Sequence, residues 1–220
     1  GAAPELTVAL IDSSVSVSTA GTVNVTSRGN TTAYSTDTIT LSHTVNAVND
    51  APVATGYATL TSDLEDTNTP TSSTIYSLFL SNFTDATDAI SGGSSANSFA
   101  GVAITNYIKD GAKGLWQYSS NNTSWTNLAT INSPANALTL QQSDYLRFLP
   151  AADWNGVAPI LTVSLIDSST SVTTAATKNA SSRGGTTEYS LNTVALLHTV
   201  TSVNDAPTIT NVTSPNATTY

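Results

Sequence analysis

The stretch "TITLSHTVNAVNDAP" (Thr38–Pro52) returns as "TVALLHTVTSVNDAP" (Thr193–Pro207). In the first copy Ile39, Leu41, His43 and Val45 fall on one face, and Thr38, Thr40, Ser42 and Thr44 on the other. The second copy keeps the apolar face as Val194, Leu196, His198 and Val200. A period of two is that of a β-strand with one buried side. Working outward, "GAAPELTVALIDSS" (Gly1–Ser14) matches "GVAPILTVSLIDSS" (Gly156–Ser169), and "SRGNTTAYS" (Ser27–Ser35) matches "SRGGTTEYS" (Ser182–Ser190). One offset of 155 residues holds throughout without a gap, and about two residues in three agree. This is a long internal repeat. Residues 1–50 read as the C-terminal part of one repeat, 51–205 as a complete one, and 206–220 as a linker or the start of the next domain.

Between the matched strands lie Gly29-Asn30 and Gly184-Gly185, residue types that accept the positive φ of a tight hairpin turn. "LTVALI" (Leu6–Ile11) puts Leu6, Val8 and Leu10 on one face. "GLWQYSSNNTSWTNL" (Gly114–Leu128) places Trp116 and Tyr118 on one strand and Trp125 on the next, around a Ser-Ser-Asn-Asn turn. "ALTL" (Ala137–Leu140) and "YLRFLP" (Tyr145–Pro150) add two strands, while "TIYSLFLSNF" (Thr74–Phe83) suits a helical turn or a strand. Many short strands without a long helical pattern predict an all-β chain of antiparallel β-sandwiches in tandem. A repeat of about 150 residues exceeds a minimal immunoglobulin-like domain of about 100, so extra hairpins or long loops are expected around 90–112.

Composition narrows the function. The formal charge is −9 and only 10% of residues are charged. Nucleic acid and anionic membranes call for clustered Lys and Arg, so neither is an expected partner. The acidic balance suits divalent cations instead. Cysteine and methionine are absent, which removes disulfides and thiolate metal sites. No run of 18 apolar residues predicts membrane insertion.

The acids and turns occur in a recognisable order: Glu65-Asp66-Thr67, Asp85-Ala-Thr-Asp88, Pro150-Ala-Ala-Asp-Trp-Asn-Gly156, Leu165-Ile-Asp-Ser168 and Val203-Asn-Asp-Ala-Pro207. The set resembles the cadherin-like tandem repeats of large bacterial surface adhesins, including the RTX adhesins. That family carries an early "EDT", an acidic loop, a "P-x-A-D-[FW]-N-G" turn, a strand ending in Asp and a closing "VNDAP" linker. Here "DATD" stands in place of the family's richer acidic loop. The resemblance implies calcium at both ends of the domain. Asn49 and Asp50 would gather with Asp85, Asp88 and Asp167 at the N-terminal pole. Glu65, Asp66, Asp153, Asn204 and Asp205 would gather at the C-terminal pole. The chemistry agrees, because calcium takes six to eight oxygens from carboxylates, amides and carbonyls. Carboxylates crowded at a joint repel one another without such a cation. Asp63, close to Glu65 but outside the matched motif, reads as a surface charge.

Other features invite plainer readings. His43 and His198 sit one per repeat on an apolar face, as structural residues do. Trp116, Tyr118 and Trp125 could stack a sugar, although aromatic hairpins usually cover a core. N-x-[ST] sequons at Asn24, Asn30, Asn82, Asn121, Asn122, Asn179, Asn211 and Asn216 make glycans a candidate modification. No G-x-S-x-G, H-E-x-x-H or phosphate-binding loop occurs, so no enzymatic activity is expected. The expectation is therefore a structural extender segment of an extracellular, cell-surface adhesin, whose partners are neighbouring repeats. Two other readings stand beside it: a filament building block assembled by strand sharing between chains, and a carbohydrate- or peptide-binding adhesin module.

Overall fold

The computed structural model describes residues 2–91 and 93–209. Strand makes up 37% and helix 7%, and nearly all the strand pairs are antiparallel, so the chain is all-β. The residues group into two compact units: Gly1–Asn49 with Ala86–Ala96, and Asp50–Asp85 with Asn97–Tyr220. The segment 86–96 lies within the expected 51–205 block in sequence yet groups with the first unit.

In the first unit, β1 (Leu6–Ile11) and β2 (Tyr34–Leu41) form a two-stranded antiparallel sheet, with Leu6 opposite Leu41 and Val8 opposite Ile39. The second unit opens with β3 (Val53–Ala54), β4 (Tyr57–Thr59), β5 (Asp63–Leu64) and β6 (Ser72–Thr74). A helical turn α1 (Ile75–Phe79) follows, capped by Thr74, whose hydroxyl accepts from Ser77 N at 3.1 Å. Then come β7 (Phe83–Thr84), β8 (Phe99–Asn106), β9 (Gly114–Ser119), β10 (Thr126–Asn127), β11 (Ala137–Gln141) and β12 (Tyr145–Pro150). The unit closes with β13 (Gly156–Val157), β14 (Leu161–Asp167), β15 (Ala176–Lys178), β16 (Val194–Leu197) and β17 (Thr199–Thr201).

These strands build a six-stranded sheet in the order β15-β11-β8-β14-β16-β4 and a four-stranded sheet in the order β10-β9-β12-β6. One apolar cluster draws on both. Val102, Ile104, Leu140, Leu161, Val163, Leu165, Val194 and Leu196 come from the larger sheet, and Trp116, Leu146 and Phe148 from the smaller. A second cluster of Ala103, Ala137, Ile166, Ala180 and Tyr189 covers the reverse face of the larger sheet. β8 and β14 are therefore buried on both faces. That is the physical reason the sequence does not place the strand at 99–106, where extra hairpins or long loops are expected: an apolar run with two buried faces shows no alternation to read. Gly101 is required there, since a Cβ would lie 2.2 Å from the Leu140 carbonyl oxygen.

The two sequence-matched hairpins share their local structure. Leu161 faces Leu196 and Val163 faces Val194, the register of β1 on β2 shifted by 155 residues. Gly29 and Asn30 have φ of 73° and 54°, and Gly184 and Gly185 have 75° and 61°. Gly29 N donates to Tyr34 O at 2.9 Å, as Gly184 N does to Tyr189 O at 2.9 Å. Ser35 Oγ accepts from Leu10 N, and Ser190 Oγ from Leu165 N, both at 2.9 Å.

Candidate metal centre

β5 runs parallel to β17, with Asp63 opposite Val200, and this pairing brings the start of the domain beside its exit. Glu65 N donates to Thr201 O at 2.9 Å. The Glu65 side chain is buried. Its Oε1 accepts from Val203 N at 2.6 Å, and its Oε2 from Asn155 Nδ2 at 2.9 Å. One carboxylate thus ties the outgoing linker to the turn between β12 and β13.

Asp66 and Asp153 follow at the same end, both in the left-handed region with φ of 64° and 56°. Asp66 Oδ1 accepts from Asp153 N at 2.9 Å, which fixes the two turns against each other. Asp205 arrives from the linker. The carboxylate oxygens of Asp66, Asp153 and Asp205 lie within 4.8 Å of one another, and all three residues are exposed. The Asp205 carboxyl is held above its ordinary range, first by partial loss of water and then by the charges of Asp153, Asp66 and Glu65. Asn204 Nδ2 donates to the Asp205 carbonyl at 3.3 Å.

This donor set fits a hard divalent cation. Calcium holds oxygens at about 2.3–2.6 Å, so two oxygens on one ion lie within about 5 Å of each other. Three carboxylates at that spacing, with one resisting ionisation, are the arrangement that a doubly charged ion relieves. Of the acids assigned to this pole, Asp66, Asp153 and Asp205 lie together, while Glu65 braces the linker with both oxygens engaged.

The acids assigned to the other pole are placed as follows. Asn49 and Asp88 belong to the first unit, and Asp50, Asp85 and Asp167 to the second. Asp85, Asp88 and Asp167 are buried, while Asn49 and Asp50 are half-buried. Asp85 Oδ2 accepts from Asn97 N at 2.6 Å. Asp167 Oδ1 accepts from Ser169 N at 2.8 Å and from the Ser169 hydroxyl.

The structure places the remaining singled-out residues as follows. Asp63 is no free surface charge. It accepts from Thr71 N at 3.0 Å and Thr71 Oγ1 at 2.7 Å, and its Oδ2 lies 3.8 Å from His198 Nε2. His198 is buried between Trp116 and Phe148, at ring distances of 5.9 and 5.5 Å. Burial pushes the imidazole pKa down, against a weaker opposing pull from Asp63 and the Leu60 and Thr61 backbone. Trp116 is also core, its Nε1 donating to Pro159 O at 2.7 Å, and Trp125 carries the Arg147 guanidinium 4.0 Å above its ring. The three aromatics therefore do not share an open face. Among the sequons, Asn82 is buried and donates to Thr55 O at 2.6 Å, whereas Asn211 and Asn216 lie outside the described residues. Among the described residues, no helix is long and apolar enough to cross a membrane. Compared with known proteins, the chain matches no family model, no curated protein and no solved structure.

Proposed function

We propose that this chain is a structural extender segment of a long, repeat-built extracellular adhesin at a cell surface. In this reading each repeat is an antiparallel immunoglobulin/cadherin-like β-sandwich, and calcium stiffens the joints. The observation that carries it is the Asp66–Asp153–Asp205 cluster, formed where the second VNDAP leaves β17. The two VNDAP copies supply complementary halves of one joint. In the first, Ala51 N donates to Gly185 O of the domain that follows, at 2.7 Å. In the second, Val203 N donates to Glu65 of the domain behind. In series, each linker would be held from both sides, with a proline just beyond to limit its freedom.

Asp66 and Asp153 would hold the ion from the domain and Asp205 from the linker. The cation would supply the positive charge that lets three carboxylates stay ionised together. Its affinity belongs to the range of extracellular modules, roughly 10⁻⁴–10⁻³ M. Modules that contact mainly their neighbours gain length by repetition while each folds locally.

The test is a tandem of two copies of residues 51–205, followed by small-angle scattering with calcium and with chelator, and by calorimetric titration. Calcium should lengthen and narrow the distribution of end-to-end distances. Asp205→Asn should weaken calcium binding about tenfold, the order expected for losing one charged ligand. Identical scattering in the two conditions would make VNDAP a plain stiff linker and end the calcium reading.

A further inference from the structure

The matched hairpins differ in what lies on them. Leu6, Leu10, Ile39, Leu41 and Val45 are 50–60% exposed, while Leu161, Leu165, Val194, Leu196 and Val200 are at most 2% exposed. The side chains are otherwise the same. Leu6, Val8, Leu10, Leu41, His43 and Val45 repeat identically at their counterparts, and only Ile39 is changed, to Val194. A face this apolar and this exposed on a two-stranded sheet cannot hold itself together in water.

The second unit shows what covers such a face. β8 lies antiparallel along the outer edge of β14, with Ile104 opposite Val163 and Val102 opposite Leu165. β4 lies parallel to the outer edge of β16, with Ala58 opposite Leu196. Trp116, Leu146 and Phe148 pack onto the same core from the four-stranded sheet, and His198 seats between Trp116 and Phe148. Each covering element lies between residues 51 and 155. Among the described residues, the outer edges of β1 and β2 in the first unit carry no such strand.

We infer that the apolar face of β1 and β2 is a docking surface for a polypeptide stretch patterned like residues 51–155. That stretch sits in the register that β8 and β4 hold on β14 and β16. It sets a strand of the Phe99–Asn106 type beside β1 and a strand of the Tyr57–Thr59 type beside β2. His43 then enters a Trp–Phe slot like the one that holds His198. The recognition is main-chain pairing along two open edges plus an apolar wall of known shape, the strand-addition mode of binding. The inference rests on paired burial and stands apart from calcium: a joint that binds no metal leaves this face just as open.

The test joins a second copy of residues 51–155 directly ahead of Gly1 of the full chain. Amide hydrogen exchange is then followed at Leu6–Ile11 and Tyr34–Leu41, with Leu161–Asp167 as the internal reference. The chain alone should exchange rapidly at β1 and β2 at every protein concentration. With the added stretch, these amides should slow by about a hundredfold or more, as for strands within a cooperative core. Val8→Asp in the extended protein should return β1 and β2 to fast exchange while β14 stays protected. Unchanged exchange in the extended protein would overturn the inference, as would protection that survives Val8→Asp. Protection of the chain alone that rises with concentration would also overturn it, because another copy would then cover the face without such a stretch.

Discussion

Leu10 and Leu165 occupy matched positions on matched strands, with the same turn and the same cross-strand register. Leu10 is 58% exposed and Leu165 is sealed. The difference separates two things that are usually fused. The hairpin is written locally, by glycine and asparagine at positive φ and by serine hydroxyls that bond to the backbone at fixed positions. Its stability is not. Burying a Leu, Ile or Val contributes about 1.5–3 kcal/mol each, and among the described residues the second hairpin alone has the sheet that provides that burial. One sequence pattern thus makes a core strand or an open face, depending on what covers it.

The largest expected effect breaks the pair apart. Leu165→Ala should lower the unfolding free energy of the second unit by about 2–5 kcal/mol, through lost transfer energy and the cavity left behind. Leu10→Ala should change it by no more than about 0.5 kcal/mol. Urea unfolding of the two variants measures both. Equal losses would mean that the first hairpin is covered in solution after all.

A smaller effect comes from the histidine of the second copy. His198 has a folded-state pKa below its unfolded value near 6.5, because burial disfavours the charged ring. Below pH 6.5 the unfolded chain takes up a proton that the folded chain resists, so stability falls with pH. The slope is at most about 1.4 kcal/mol per pH unit for this one proton. Above pH 6.5 the group has no effect. His198→Gln should flatten that acid slope. Chemical denaturation between pH 5 and pH 7 reads the difference.

The smallest effect is spectroscopic. Burial, with Glu188 adding to it, pushes the Tyr189 phenol up to about 12. The unfolded chain ionises near pH 10, so this group costs stability as pH rises beyond 10. Ultraviolet titration should show a late tyrosine step that shrinks in Tyr189→Phe.

Much of this was legible in the residues. Alternation and turn glycines gave both hairpins in register, and the strands at Gly114–Ser119, Ala137–Gln141 and Tyr145–Pro150 followed from the same signal. Asp66, Asp153 and Asp205, whose carboxylate oxygens lie within 4.8 Å of one another, are assigned to one pole only through the resemblance. β8 was hidden because both its faces are buried. The Asp63–His198 contact depends on a parallel pairing of strands far apart in sequence, for which no local signal exists. Glu65 is assigned to the same pole as a ligand and not as the brace of the linker, since that role requires knowing where Val203 lands.

The parallel pairings have a mechanical meaning. β4 beside β16 and β5 beside β17 place the first strands of the second unit alongside its last, running in the same direction. Tension applied through the two ends pulls such strands in opposite senses along their common axis. The bridging hydrogen bonds are then loaded in shear, all at once, and cannot be opened one after another from an end. The apolar contacts behind them, among them Ala58, Leu196 and Val200, must slide together before the strands part. Resistance to force is set by the rate of unfolding under load and not by equilibrium stability alone. With first and last strands laid side by side, a pull through the two ends meets these bonds together and not in sequence.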